Sequence, residues 1–202
     1  MPAEPFIPDL ALWDAWTPTE VVQRLAAARA PWYVTAGWAL DLFHGRQTRQ
    51  HEDLEVAVPR HGFAAVREAL AGFELFAVGD GYAHRLDEQA LATHYQTWVR
   101  EPATGIWRLD VMREPWEGDT WVFRRDARVR RPASQVIART ADGIPYAEPE
   151  IALLYKAKTV REKDEADFAS VLPLLDPPRR RWLAAALELV HPGHRWLDEL
   201  VG

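Results

Sequence analysis

The sequence predicts an α+β fold, a small mixed sheet flanked by helices with a packed C-terminal helical region. Three observations carry this. Through residue 146, short runs rich in aromatic and β-branched residues alternate with helix-spaced segments. From residue 147 onward the spacing is helical, with prolines at the joints. No Gly/Ser linker separates 1–146 from 147–202, so the two parts are expected to pack together as an α+β domain and a helical region. The 202 residues, 48% hydrophobic and 27% charged, suit a soluble globular chain of about this architecture.

Each element follows from local signals. In "TPTEVVQRLAAARA", Thr17 can cap a helix, Pro18 fits its first position and Glu20 completes a capping box. Pro31 stops that helix and "WYVT" reads as a strand. "GWALDLFHG" spans about two helical turns and ends at Gly45, a C-cap residue. After the polar loop "RQTRQHE", "DLEVAV" reads as a strand ended by Pro59, and "HGFAAVREALAG" returns to helical spacing. "FELFAVG", "AHRLD", "QTWVRE" and "IWRLDVM" are strand candidates separated by Gly, Asp or Pro. "TWVFRRDARVRRP" suggests a hairpin around Asp126. "PEIALLYKAKTVREKDEADFASVLPLL", "PPRRRWLAAALELV" and "HRWLDEL" are the C-terminal helical pieces. His191 and His194 are spaced like metal ligands, but Pro192 and Gly193 between them favour a helix-joining turn.

Composition excludes several functions. The net charge of -6 argues against an open nucleic-acid surface, which needs clustered Lys and Arg. The basic cluster "FRRDARVRR" reads as a solvated hairpin. There are no cysteines, hence no disulfide, thiolate nucleophile or Cys-ligated zinc. "MPAEPFIPDLALWDAW" has no Lys or Arg ahead of its apolar residues, and no apolar run approaches the roughly 20 residues that cross a bilayer. The expected location is the cytoplasm, with no membrane contact. The chain holds 10 Trp, several of which should be core or pocket residues.

Asp53 and Glu55 are two apart in a strand candidate, so they share a face. Asp110 stands in another strand candidate, and adjacent strands would bring the three together. Like charges held together need a cation, and an oxygen-only donor set favours Mg2+ or Mn2+. The alternative is ordinary pairing with Arg46, Arg49, Arg108 or Arg113.

The stretch "GWALDLFHGRQTRQHEDLEVAV" resembles the signature of the nucleotidyltransferase superfamily with the DNA polymerase beta-like fold, in its aminoglycoside 2''-adenylyltransferase-like branch. Gly37, Gly45, Arg46, Thr48, Arg49, His51, Asp53 and Glu55 fall on the positions of that pattern, and Asp110 matches its third carboxylate. "LLYKAKTVREKDEADF" resembles the family's helix with a Lys and an "RxKDxxD" run. The family places Gly first at the turn where this chain has Ala36, and a left-handed backbone there would strain an alanine.

The resemblance implies the nucleotidyltransferase fold and metal-dependent transfer of a nucleotide, AMP from ATP, to a hydroxyl of a small, aminoglycoside-like acceptor. Asp53, Glu55 and Asp110 would be the catalytic and metal-binding acids, with Asp110 as a metal ligand or the base. Ala36, Gly37, Arg46, Arg49 and Lys158 would meet the nucleotide, with Lys156 a weaker candidate. Arg46 and Arg49 could equally orient the acids. Asp41 could face the cleft or pair with those arginines, and His51 is expected to hold the loop. Lys158 and Arg161 are expected on one helix face at i, i+3 spacing, near Asp164 and Glu165. A polycationic acceptor needs acidic or aromatic contacts. The segment from Trp98 to Trp121 is the candidate lining, with Trp116 and Glu117 as contacts; those Trp residues could instead be core. A non-catalytic binding module of the same fold, or a modifier of a macromolecular partner of toxin–antitoxin type, are the alternatives. The sequence is silent on oligomeric state.

Overall fold

The computed structural model describes residues 4–201. In chain order the elements are α1 (Pro18–Arg24), β1 (Tyr33–Val34), α2 (Ala36–His44), β2 (Glu55–Pro59), α3 (Phe63–Ala69), β3 (Glu74–Gly79), β4 (Tyr82–Arg85), α4 (Glu88–Thr93), β5 (Gln96–Arg100), β6 (Trp107–Glu114), β7 (Trp116–Glu117), β8 (Thr120–Val122), β9 (Arg130–Pro132), β10 (Ile137–Arg139), β11 (Pro145–Ala147), α5 (Pro149–Lys156), α6 (Glu162–Val171), α7 (Pro177–Val190) and α8 (Trp196–Val201). The class is α+β, as expected. Two compact units emerge. The first holds residues up to Val34 and His51–Gly118; the second holds Thr35–Gln50 and the chain from Asp119 onward. This division does not follow the expected 146/147 boundary. The reason is that α2 packs on α5 and α6, and Arg49 in the loop after α2 is held by Asp167 of α6.

The first unit is built on a mixed sheet in the order β1-β2-β6-β5-β3-β4. Only β2 and β6 run parallel; the other neighbours are antiparallel. Register assigns the faces. Val56 and Val58 pair with Val111 and Arg113 on one face, joined by Thr97 and Val99 of β5. Glu55 and Ala57 pair with Asp110 and Met112 on the other, joined by Gln96 and Trp98. A bulge opposite Val99/Arg100 skips Arg108 and pairs Trp107 with Arg100. Trp107 thereby reaches the side of Phe76 and Trp98, with ring centroids 5.6 and 5.4 Å away. Phe6 bridges Ala83 by a backbone pair, N–H to O at 3.1 and 2.8 Å, and so covers the exposed edge of β4. Helix α1 starts with the expected capping box: Glu20 N–H donates to Thr17 Oγ1 at 3.3 Å and Thr17 N–H to Glu20 Oε2 at 2.7 Å.

The second unit gathers α2, the hairpins β8–β9 and β10–β11, and α5–α8. The hairpin around Asp126 forms as expected. Its core contains Trp121, Phe123, Leu153, Leu183 and Leu187, and Phe168 stacks on Trp196 at 4.3 Å and 2°. Buried charges tie the helices together. Lys156 bonds Asp164 and Asp167, each at 2.9 Å, and Arg49 grips Asp167 with Nε at 3.0 Å and Nη2 at 3.1 Å. The expected continuous helix through Lys158 is interrupted. Ala157 caps α5, and α6 restarts after Arg161, whose N–H donates to Asp164 Oδ2 at 3.1 Å. Lys158 therefore lies in the connecting turn, and the expected Lys158–Arg161 helix face does not exist. His191 and His194 fall in a helix-joining turn in which Gly193 has φ +73°.

Candidate active site

In the first unit, Asp110 stands beside Glu55 in parallel register. Neighbouring strands lie about 4.8 Å apart, so two carboxylates sit side by side on one face. Asp110 is 2% exposed. Its Oδ2 accepts from Gln96 Nε2 at 2.5 Å, while its Oδ1 is buried and closes no well-formed hydrogen bond. Burial pushes the Asp110 carboxyl well above the usual carboxylate range, and the Glu55 charge pushes it further; the Gln96 hydrogen bond opposes, Asp53 adds to the rise, and the Trp98 indole N–H opposes it weakly. Gln96 is a contact the sequence did not reveal, because it depends on how β5 pairs with β6.

Asp53 differs from expectation. Strand β2 begins at Glu55, and Asp53 lies in the segment leading into it, exposed to water. The backbone ladder reaches only to Leu54, whose carbonyl accepts from Asp110 N–H at 2.9 Å. A hydrated carboxylate ahead of the strand avoids the desolvation that Asp110 bears. Among the described residues, no group of three or more His, Cys, Asp or Glu is gathered as a ready ligand set. Glu55 and Asp110 are paired directly, and the Asp53 charge acts on Asp110 from ahead of the strand. That pair still fits a hard divalent cation. An orphaned buried carboxylate oxygen beside a second carboxylate is a donor set for Mg2+ or Mn2+, which commonly take one or two carboxylates and complete their shell with substrate phosphates and water.

In the second unit, the turn Thr35-Ala36-Gly37 opens α2. Ala36 has φ +54°, the left-handed conformation anticipated from the family's glycine. Gly45 closes the helix at φ +72°, and Arg46 N–H returns to Asp41 O at 3.2 Å. The Asp41 carboxylate is buried and accepts from Thr48 N–H at 3.0 Å and from the Thr48 hydroxyl, so it shapes the loop after α2. Arg49 is turned to Asp167, and Gln47 and Arg49 add side-chain bonds to loop carbonyls at 2.8 and 3.1 Å. Arg46 and Lys158 are exposed cations. The motif residues thus have two roles. Asp41, Thr48 and Arg49 hold a loop, whereas Arg46 and Lys158 present charge.

The aromatic segment expected at the acceptor resolves residue by residue. Trp107 and Trp121 are fully buried core residues. Trp98 packs edge-on to Trp13 at 5.1 Å. Trp116 is half-buried on β7, 6.4 Å from the Tyr33 ring, and Glu117 beside it is exposed.

Similar proteins share the fold. A family model described as aminoglycoside-2''-adenylyltransferase matches residues 19–100. The crystal structure of ANT(2'')-Ia in complex with adenylyl-2''-tobramycin superposes with a TM-score of 0.55 at 16% identity, covering 85% of this chain and 97% of that one. The lincomycin-bound lincosamide antibiotic adenylyltransferase LnuA gives a TM-score of 0.54 at 15% identity, covering 78% and 95%. A nucleotidyltransferase-like antigen from Paracoccidioides brasiliensis gives 0.50 at 16% identity, covering 91% and 89%. No curated protein matches in sequence. The chain has the fold of nucleotidyltransferase enzymes. Within that class, its residues 19–100 resemble the aminoglycoside-2''-adenylyltransferase branch.

Proposed function

We propose that the chain is a divalent-metal-dependent nucleotidyltransferase that moves AMP from ATP to a hydroxyl of a small, aminoglycoside-like molecule. The observation that carries this reading is the Glu55–Asp110 pair, with one Asp110 oxygen clamped by Gln96 and the other buried without a well-formed hydrogen bond. Glu55 and Asp110, with Asp53 at the water-facing approach, would hold Mg2+ or Mn2+. The ion would supply neutralisation of the triphosphate and of the charge that builds up at the transferred phosphorus.

The chain's own groups do the rest. Gln96 fixes the Asp110 carboxylate by its Oδ2, which leaves Oδ1 for the ion or the acceptor. The raised proton affinity of Asp110 suits it to take the proton of the acceptor hydroxyl as that oxygen attacks the α-phosphorus and pyrophosphate leaves. The Ala36-Gly37 turn opens a nine-residue helix, whose first N–H groups suit phosphate oxygens. Arg46 and Lys158 add positive charge for the triphosphate, and Arg49 holds the loop that carries Arg46. Trp116 and Glu117 are the acceptor contacts we favour: a partly buried ring and an exposed carboxylate suit a polyol bearing ammonium groups. The ANT(2'')-Ia complex with adenylyl-2''-tobramycin and the lincomycin-bound LnuA support a small antibiotic acceptor. Action in the cytoplasm is part of the same reading. Among the described residues, no helix is long and apolar enough to cross a membrane.

The test is incubation with MgATP and a panel of aminoglycosides, lincosamides and other polyols. Pyrophosphate release together with the mass of an added AMP on an acceptor is the expected outcome. Release only with a macromolecular partner, and AMP on that partner, would replace the small-molecule reading. No release with any nucleoside triphosphate would leave a binding module.

A further inference from the structure

Arg113 of β6 points away from the carboxylates. It lies three residues after Asp110, on the opposite face of the sheet and about 10 Å further along the strand. It is 4% exposed. Two of its guanidinium nitrogens donate to backbone carbonyls, Nη1 to Leu91 O at 2.7 Å and Nη2 to His94 O. Its Nε meets no acceptor. Its ring contact is Phe63, 5.2 Å from the guanidinium carbon. Among the described residues it has no carboxylate partner, whereas the other well-covered arginines of this unit have one: Arg100 meets Glu74 at 2.8 Å and Arg108 meets Glu101 at 3.0 Å. A buried guanidinium without a counter-charge is costly. Burial, and then the nearby Arg60 charge, lower the Arg113 pKa to about 10.

Arg113 lines a cavity of about 340 Å³ together with Arg60, His61, Phe63, Arg67 and Leu91. That is the small end of the range for ligand sites. The basic residues of the lining have no acid among them, and Phe63, Leu91 and two alanines make its floor apolar. Arg60 and Arg67 are exposed at the mouth. The charge is opposite to what a polycationic acceptor needs.

We infer that the cavity formed by α3, α4 and the end of β6 binds a small organic anion, a phosphate or carboxylate carried on an aryl or short acyl body. The anionic head meets Arg60, Arg67 and the inner Arg113, and the apolar body lies on Phe63 and Leu91. The ligand provides the negative charge that the protein itself does not place beside Arg113.

Calorimetry on the whole protein in metal-free buffer tests this, with phenyl phosphate and benzoate as probes. Inorganic phosphate tests the head alone, and benzyl alcohol the body alone. Wild type should bind at least one aryl anion more tightly than either part. The Arg60→Ala/Arg67→Ala double variant changes exposed residues and should keep its melting temperature. It should bind the aryl anion at least roughly tenfold more weakly, as expected for lost charge-assisted hydrogen bonds. Asp53→Ala should bind it as wild type does. Preference for phenyl phosphate or for benzoate identifies the head group. No binding of either anion at millimolar concentration, equal binding by the double variant, equal binding of benzyl alcohol, or loss of binding in Asp53→Ala would each overturn the inference. Failure of nucleotidyl transfer leaves these outcomes unaffected, because no nucleotide or metal is present.

Discussion

Asp53 and Asp110 carry the same functional group in opposite surroundings. Asp53 is hydrated, so Asp53→Ala should change stability by no more than about 0.5 kcal/mol. If it helps hold the metal, the same substitution should remove MgATP binding in a calorimetric titration, and unchanged affinity would exclude it from the metal site. Asp110 is buried and clamped by Gln96. Asp110→Asn keeps an oxygen for that bond and loses the ability to take a proton. Turnover should drop by about 10²–10⁴-fold with MgATP affinity largely kept; equal losses in both would make Asp110 a metal ligand first. The Glu55–Asp110 partnership was legible because each acid sits in a recognisable motif. Gln96 was not, since nothing local in "QTWVRE" says which strand lies beside it. Asp53 was misplaced by the reverse error: alternation in "DLEVAV" continues past the point where the strand begins.

At the scale of elements, the start of α2 is held in a conformation unfavourable to its residue. A left-handed backbone costs an L-residue about 1–2 kcal/mol, part of which a glycine would return as greater freedom of the unfolded chain. Ala36→Gly should therefore raise the unfolding free energy by about 0.5–1 kcal/mol in urea denaturation. An unchanged or lower value would mean that the strain is offset within the turn. Helices with chemical punctuation were readable. Thr17, Pro18 and Glu20 announce α1, and Gly45 closes α2. Helix α4 escaped notice because only six residues follow its cap, Asp87. The α5–α6 break was hidden by charge spacing that suits one long helix. The structure shows Asp164 spending its carboxylate on the Arg161 N–H, which is a helix start.

Over the whole molecule, the cluster in which buried Lys156, Asp164 and Asp167 meet half-buried Arg49 and exposed Arg161 sets an acid limit on stability. Burial alone would raise the Asp164 carboxyl, but hydrogen bonds from Arg161 and Lys156 hold it well below the usual range. Asp167 is also lowered: burial opposes, and Arg49 and Lys156 prevail. Above the ordinary carboxylate value, both states are ionised and the full stabilisation is present. As pH falls below about 4, the unfolded chain binds protons first and stability is lost toward the lower folded values. Glu150, raised by burial, acts in a separate window above its ordinary value and in the opposite sense. Denaturation from pH 7 to 3 should show the wild-type unfolding free energy dropping steeply below about pH 4. Asp164→Asn should be less stable at pH 7, with the gap narrowing as pH falls; a gap that stays constant would show that Asp164 acts through shape alone. These pairs also explain why the two units were not legible. An expected boundary at 146/147 follows local composition, while Arg49 chooses its partner across most of the chain.

That choice has a consequence for the protein during its manufacture. Arg49 and Asp167 are 118 residues apart, so the ribosome delivers the arginine long before its partner. At usual elongation speeds the wait is on the order of 10 s, far longer than helices or hairpins take to form. The first unit has all of its residues once Gly118 has left the exit tunnel. Residues Thr35–Gln50 emerge in the midst of it, yet their packing partners are among the last to be made. The segment that carries the turn and the signature arginines is thus born early and settled late, and a nascent chain stalled before Asp167 would present it to chaperones and proteases without its anchor.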